Sequence, residues 1–181
     1  MRLGESDQQG VDTPRRQTSL DKNEEVYCLE AVLADEAVLT DLARTIPHAH
    51  IVPIGQHVSL LPITGAVVNA LNDGTETCLE GFALAPATLG PMLAGSSKAA
   101  PLAYVEAEYF GGAGTQSAQI WHEGEIILGP IHLREGERPP PEGTPISQAL
   151  RQLGVEKGNH FDEFDAVELG RHRRTEDWLT T

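Results

Sequence analysis

Apolar and polar positions change rhythm several times along the chain, and each change marks an element. The run VYCLEAVL, Val26 to Leu33, is rich in β-branched and aromatic residues and predicts a first strand. Asp35 is placed to cap a helix from Glu36 to about Ile46, with Val38, Leu39, Leu42, Ala43 and Ile46 as its stripe and Pro47 as its end. Residues 50–63 predict a hairpin, with Gly55-Gln56 as a two-residue, Gly-first loop. Thr64 can cap a helix from Gly65 to Leu71, closed by Asn72-Asp73-Gly74. Pro86 then opens a short helix carrying Leu89, Met92 and Leu93, which Gly90-Pro91 makes irregular.

Residues 103–133 predict a three-stranded meander: Ala103 to Phe110, Thr115 to His122 and Glu125 to Leu133, joined by the loop Gly111 to Gly114 and the turn Glu123-Gly124. After a proline-rich linker at 138–145, Thr144 caps a helix that Gly154 stops, with Ile146, Ala149, Leu150 and Leu153 on its buried side. From Asn159 to Trp178 no period holds, and an ordered coil anchored by Phe161, Phe164, Leu169 and Trp178 is expected. The fold class is therefore α+β. It is a single domain, 25–181, with a mostly antiparallel sheet, a β-α-β-β-α-β opening of ferredoxin-like type, a later meander and a late helix. Residues 1–24 hold too few apolar side chains to offset the entropy of ordering and are expected to form a disordered tail.

In the meander, a loop flanked by Phe110 and Thr115 pairs Ala107 with Ala118 and Val105 with Ile120. Val105, Ala107, Tyr109, Ala118, Ile120 and Ile127 then face the core. The opposite face carries Tyr104, Glu106, Glu108, Ser117, Gln119 and Trp121. Aromatic residues at one end and carboxylates at the centre suit a partner-binding surface, the alternative being a plain solvated sheet face. A catalytic reading takes Glu106 and Glu108, about 6–7 Å apart on one strand, as an acid/base pair. Gly111-Gly112-Ala113-Gly114 sits between strands and follows two glutamates, so it reads as a hairpin loop and not as a phosphate cradle.

Composition sharpens this. The 181 residues carry a net charge of −14, and residues 26–133 hold eleven acidic side chains against Arg44 and Lys98, a net of −9. Such a field repels phosphate backbones and excludes nucleic acid as the natural partner, while it attracts basic protein surfaces. No apolar run is long enough for a membrane span, and the start of the chain lacks a secretory pattern. Cys28 and Cys78 follow no metal-ligand spacing and suit a reducing cytoplasm as free thiols. His48, His50 and His57 invite a zinc site, but the hairpin register places His57 opposite Ile54 and about 13 Å from His50, so no metal and no cofactor is expected. Arg171, Arg173 and Arg174 follow Asp162, Glu163, Asp165 and Glu168; they either pair with the acidic body or form a docking site for an anion.

Three segments, VPIGQHVSLLPIT (52–64), AYVEAEYFGGAGTQ (103–116) and FDAVELGRHRRTEDW (164–178), together resemble a group of small, acidic, uncharacterised bacterial proteins. The resemblance implies a bacterial, cytoplasmic protein and brings no activity, cofactor or catalytic residue with it. The functional expectation is a non-catalytic, acidic protein-binding module, in concrete form an immunity-type or inhibitor protein for a basic partner. The alternatives are a small hydrolase or transferase using Glu106 and Glu108, and a regulatory subunit of a larger assembly.

Overall fold

The computed structural model describes residues 26–75 and 77–180; the expected tail lies outside the described residues. Six strands form one antiparallel sheet in the order β2-β3-β1-β4-β5-β6. They are β1 (Val26–Asp35), β2 (Val52–Gly55), β3 (Val58–Pro62), β4 (Leu102–Phe110), β5 (Ala113–His122) and β6 (Glu125–Leu133). Read from the other edge, the first four strands lie in the order 4-1-3-2. That is the split βαβ order expected from the opening of the chain, extended here by a hairpin on the β4 side.

All three hairpins turn on two residues with positive φ at both: Gln56-His57, Gly111-Gly112 and Glu123-Gly124. Such turns match the right-handed strand twist. Two expectations are corrected by this. The first hairpin turns on Gln56-His57, with Gly55 still paired to Val58 across a register shift, so His57 is a turn residue and does not face Ile54. In the meander the tighter turn moves the register by two residues, pairing Val105 with Ala118, Ala107 with Gln116 and Tyr104 with Gln119. A shift of two preserves which side chains share a face. Ile127, expected in the core, falls where β6 slips against β5 and is half exposed.

Both sheet faces are covered. Tyr27, Leu29, Ala31 and Leu33 of β1 join Ala103, Val105, Ala118 and Ile120 beneath helix α4 (Pro145–Gln152), together with Val167, Leu169 and Trp178. On the reverse, Val32, Ala34, Leu61, Leu102, Tyr104 and Trp121 pack under α1 (Glu36–Ala43), α2 (Gly65–Leu71) and α3 (Leu89–Ser96). Burial on both sides explains the unbroken apolar run of β1. The caps fall where expected, with Asp35, Thr64 and Thr144 each accepting from a backbone N–H of the first turn. Helix α1 ends at Ala43, before the expected Ile46. Helix α3 begins at Leu89, so Pro91 sits in a first turn whose N–H groups have no intrahelical partner, and it does not kink the helix.

The C-terminal stretch is more regular than its lack of period suggested. It contains a short helix α5 (Glu163–Ala166) and two 3₁₀ turns, Leu169–Arg171 and Thr175–Thr180. Leu169 and Trp178 anchor it and Phe164 packs partly buried, but Phe161, expected as a fourth anchor, is 87% exposed. Among the described residues no helix is long and apolar enough to cross a membrane. Trp178→Ala is expected to cost about 3–5 kcal/mol and to lower the thermal midpoint by about 10 °C, because it empties a fully buried site. Phe161→Ala should leave the midpoint within about 1 °C; differential scanning calorimetry of the two variants separates them.

Candidate functional site

The strand register builds a polar row across the sheet on the α1/α3 side. Glu30 stands opposite Glu106, Glu106 opposite Ser117, and Ser117 opposite His132. The next rung outward is Cys28, Glu108 and Thr115. Neighbouring strands lie about 4.8 Å apart, so these side chains are near neighbours. The helices cover the Leu102 and Tyr104 end of β4 and stop short of this row. Over it arches the loop between α2 and α3, whose descent is fixed by residues 81–85.

That loop is held by Glu106. Its Oε1 accepts hydrogen bonds from Leu84 N at 3.0 Å, Ala85 N at 3.0 Å and the Tyr104 hydroxyl at 3.0 Å, and its Oε2 accepts from Ala83 N at 3.1 Å. Phe82 packs edge-on to Tyr104, with ring centroids 4.9 Å apart. Gly81, at φ +84, sits on the Pro130 ring, and a Cβ there would come within 2.5 Å of Pro130 Cγ. Beside the loop lies an open cleft of about 450 Å³, lined by Gly81 to Leu84, Glu106, Glu108, Thr115, Ser117, His132 and Arg134.

Charge is the outstanding property of the row. Burial first, and then the nearby Glu106, Glu176 and Glu108, push the Glu30 carboxyl up to about 7. Burial, with help from Glu108 and Glu30, also raises the Cys28 thiol, which keeps it protonated and unreactive. Burial raises the Tyr104 phenol well above its ordinary range, so it serves as a donor to Glu106. Cys28 and Cys78 are both free thiols.

The six residues singled out in the sequence do share one face, but the exposure expected of them holds for only part of the set. Tyr104, Glu106, Gln119 and Trp121 are buried, since α1, α3 and the loop cover the end of the face they occupy. Trp121 is therefore a core residue and not a rim anchor. Glu108 is exposed and Ser117 partly so, and both line the cleft. The structure adds Glu30, His132, Arg134 and the 81–84 loop, which come together through strand pairing that crosses 76 residues from Glu30 to Glu106. His48, His50 and His57 do not converge: His50 Nδ1 lies 2.9 Å from His48 O, and His57 Nε2 lies 3.1 Å from Leu153 O. Among the described residues no group of three or more His, Cys, Asp or Glu side chains is arranged to hold a metal ion.

Ser117 Oγ and His132 Nδ1 lie 2.8 Å apart, the spacing of a hydroxyl and a base. Acyl transfer also needs donors aimed at a developing oxyanion. The amides of 83–85 beside the pair are committed to Glu106, and Glu106 itself would repel that charge. Nor can Glu106 readily shuttle protons while four donors occupy its two oxygens. The arrangement suits holding a cation better than making a bond. No family model matches the chain, and neither a curated protein nor a solved structure matches it.

Removing the Glu106 carboxylate in Glu106→Ala strands three N–H groups and a hydroxyl, and should cost at least about 3 kcal/mol. Amide exchange at Ala83, Leu84 and Ala85 should accelerate more than in the α4 core. Continued protection of those three amides would show that the loop is held by something else.

Glu30 gives a pH-dependent expectation. A carboxyl raised to about 7 in the folded chain binds its proton more tightly than in the unfolded one, so its ionisation opposes folding. The protein should lose stability as pH rises from about 4.5 through 7, with the loss complete above that. Glu30→Gln mimics the protonated form and should be more stable than wild type at pH 8. The gain is about 1 kcal/mol once solvent screening of this half-exposed group is allowed for, and it should vanish by about pH 4.5. Thermal melts of both proteins across that range test the sign.

Proposed function

We propose that this protein is a non-catalytic binding module that receives a basic side chain of a protein partner in the cleft beside Glu108. Its concrete form is an inhibitor or immunity-type protein that covers a basic enzyme in a bacterial cytoplasm. The observation that carries this reading is the crowding of three carboxyls in and beside the cleft, against which the lining sets one guanidinium, Arg134. Glu108 is exposed at the cleft, Glu30 and Glu106 face each other across two strands, and none of the three forms an ion pair among the described residues. Like charges directly opposite each other in a sheet are destabilising. A guest lysine or arginine would offset that repulsion and let Glu30 ionise at neutral pH. The surrounding net charge of −9 over residues 26–133 would speed the encounter.

The alternative hydrolase or transferase that uses Glu106 with Glu108 has less support, because Glu106 is engaged in holding the loop. A regulatory subunit would use the same surface and differs only in what the partner does.

A fluorescein-labelled nona-arginine peptide is a direct probe. Wild type should bind it, and raising salt from low to physiological should weaken binding strongly. Glu108→Lys should weaken it at least tenfold, mostly through slower association. Glu123→Lys, the same charge change on the β5–β6 turn at the far end of the sheet, should weaken it at most about twofold. Equal losses from the two variants would mean that only the general field acts and that the cleft is not the site.

A further inference from the structure

On the other face of the sheet, away from the acidic row, lies a second cavity of about 300 Å³ with the opposite character. Its floor is the cross-strand pair Tyr27 and Tyr109, whose rings meet edge-on at 6.5 Å. Phe164 of α5 forms a wall, 5.8 Å from Tyr27 and also edge-on. Gln116 and the backbone at Gly112 and Gly170 complete it, and Arg173 stands at its side. The volume is at the small end for ligand sites, enough for one or two fused rings.

The polar groups of this lining are mostly spent. The Tyr27 hydroxyl donates to Leu169 O at 3.1 Å. Gln116 Oε1 accepts from Ile146 N at 3.2 Å. The guanidinium of Arg173 makes no ion pair among the described residues. Burial raises the phenols of both tyrosines, so neither supplies a negative charge at neutral pH. Arg173 is then the one ionised group in the lining, a fixed cation on a chain of net charge −14. An aromatic box with a cation at its side repels ammonium ligands, which rules out the usual guest of such boxes.

We infer that this cavity is a binding site for a small aromatic carboxylate, its ring against Tyr109 and Phe164 and its carboxylate on the Arg173 guanidinium. Flat rings favour edge-to-face contact with these walls, and guanidinium offers a carboxylate two parallel donors. The site is independent of the acidic cleft, since the two lie on opposite faces of the sheet and share no chemistry.

Calorimetric titration with benzoate and indole-3-carboxylate tests this, with benzamide and benzylamine as the neutral and cationic counterparts. Wild type should bind both carboxylates saturably, benzamide at least tenfold more weakly, and benzylamine not at all. Arg173→Gln alters an exposed side chain and should fold normally, yet lose at least tenfold for the carboxylates while its weak affinity for benzamide stays unchanged. Tyr109→Leu should weaken carboxylate and amide alike; a thermal melt and the chemical shifts of the α4 residues establish that this variant is folded. The inference is overturned if neither carboxylate binds at millimolar concentration, if benzamide binds as tightly as benzoate, or if Arg173→Gln binds benzoate as wild type does.

Discussion

The contact on which the rest of the α1/α3 face depends is the one between the Glu106 carboxylate and the amides of Ala83, Leu84 and Ala85. A carboxylate buried in a sheet is costly unless its lone pairs are used, and a loop laid across a sheet is costly unless its N–H groups are used. Each solves the other's problem here. The Tyr104 hydroxyl completes the set, and the Tyr104 ring supports Phe82 on the same loop. With the loop pinned, α3 is delivered onto α1 and the sheet, and the remaining gap between the loop and β5–β6 becomes the cleft. One glutamate thus sets both the packing of a layer and the shape of the opening beside it.

The same contact explains why the row around it stays charged. Glu106 is fixed by its donors, so it cannot turn away from Glu30, which lies opposite on β1. Burial, and then the charge of Glu106, raises the Glu30 carboxyl to about 7. Glu108 lies one rung outward and is exposed to water. Tension therefore concentrates on a half-buried group next to an open cleft. A perturbed carboxyl beside an open cleft makes this row a candidate functional site.

Local pattern made much of the fold legible, while the site was legible only in pieces. The β-branched run of β1, the caps at Asp35, Thr64 and Thr144, and the Gly154 stop are signals within a few residues, and each locates its element. Alternation in β4 and β5 sorts their side chains onto the correct faces even where the register is off by two, because a shift of two leaves the faces unchanged. What alternation cannot say is what lies above a face. The polar set Glu106, Glu108, Ser117 and Gln119 reads as solvated, whereas Glu106 and Gln119 are buried and a loop 21 to 23 residues upstream of Glu106 lies over it. A usable sign existed in β1 and β3: LEAVLA and VSLLP are apolar on both parities, which calls for cover on both sides of the sheet. The approach of Glu30 and His132 to Glu106 and Ser117 had no local sign at all, since it arises from strand order.

The C-terminal segment gives the two faces their different chemistry. Its backbone runs beside β1, where Cys28 N donates to Arg173 O at 2.8 Å, and Thr175 Oγ1 accepts from Glu30 N at 3.0 Å. The chain bends at Arg173 and Arg174, and the two side chains part there. Arg173 accordingly acts on Tyr27 beneath the α4 layer, while Arg174 acts on Cys28 beside the acidic row. Cys28 and Tyr27 are neighbours that alternate across the sheet, so the two guanidiniums are felt on opposite faces. Trp178, fully buried with the Arg171 guanidinium 4.7 Å from its ring centroid, anchors the segment. One buried indole thus anchors the segment that sets Arg173 beside the aromatic cavity on one face and Arg174 beside the acidic row on the other.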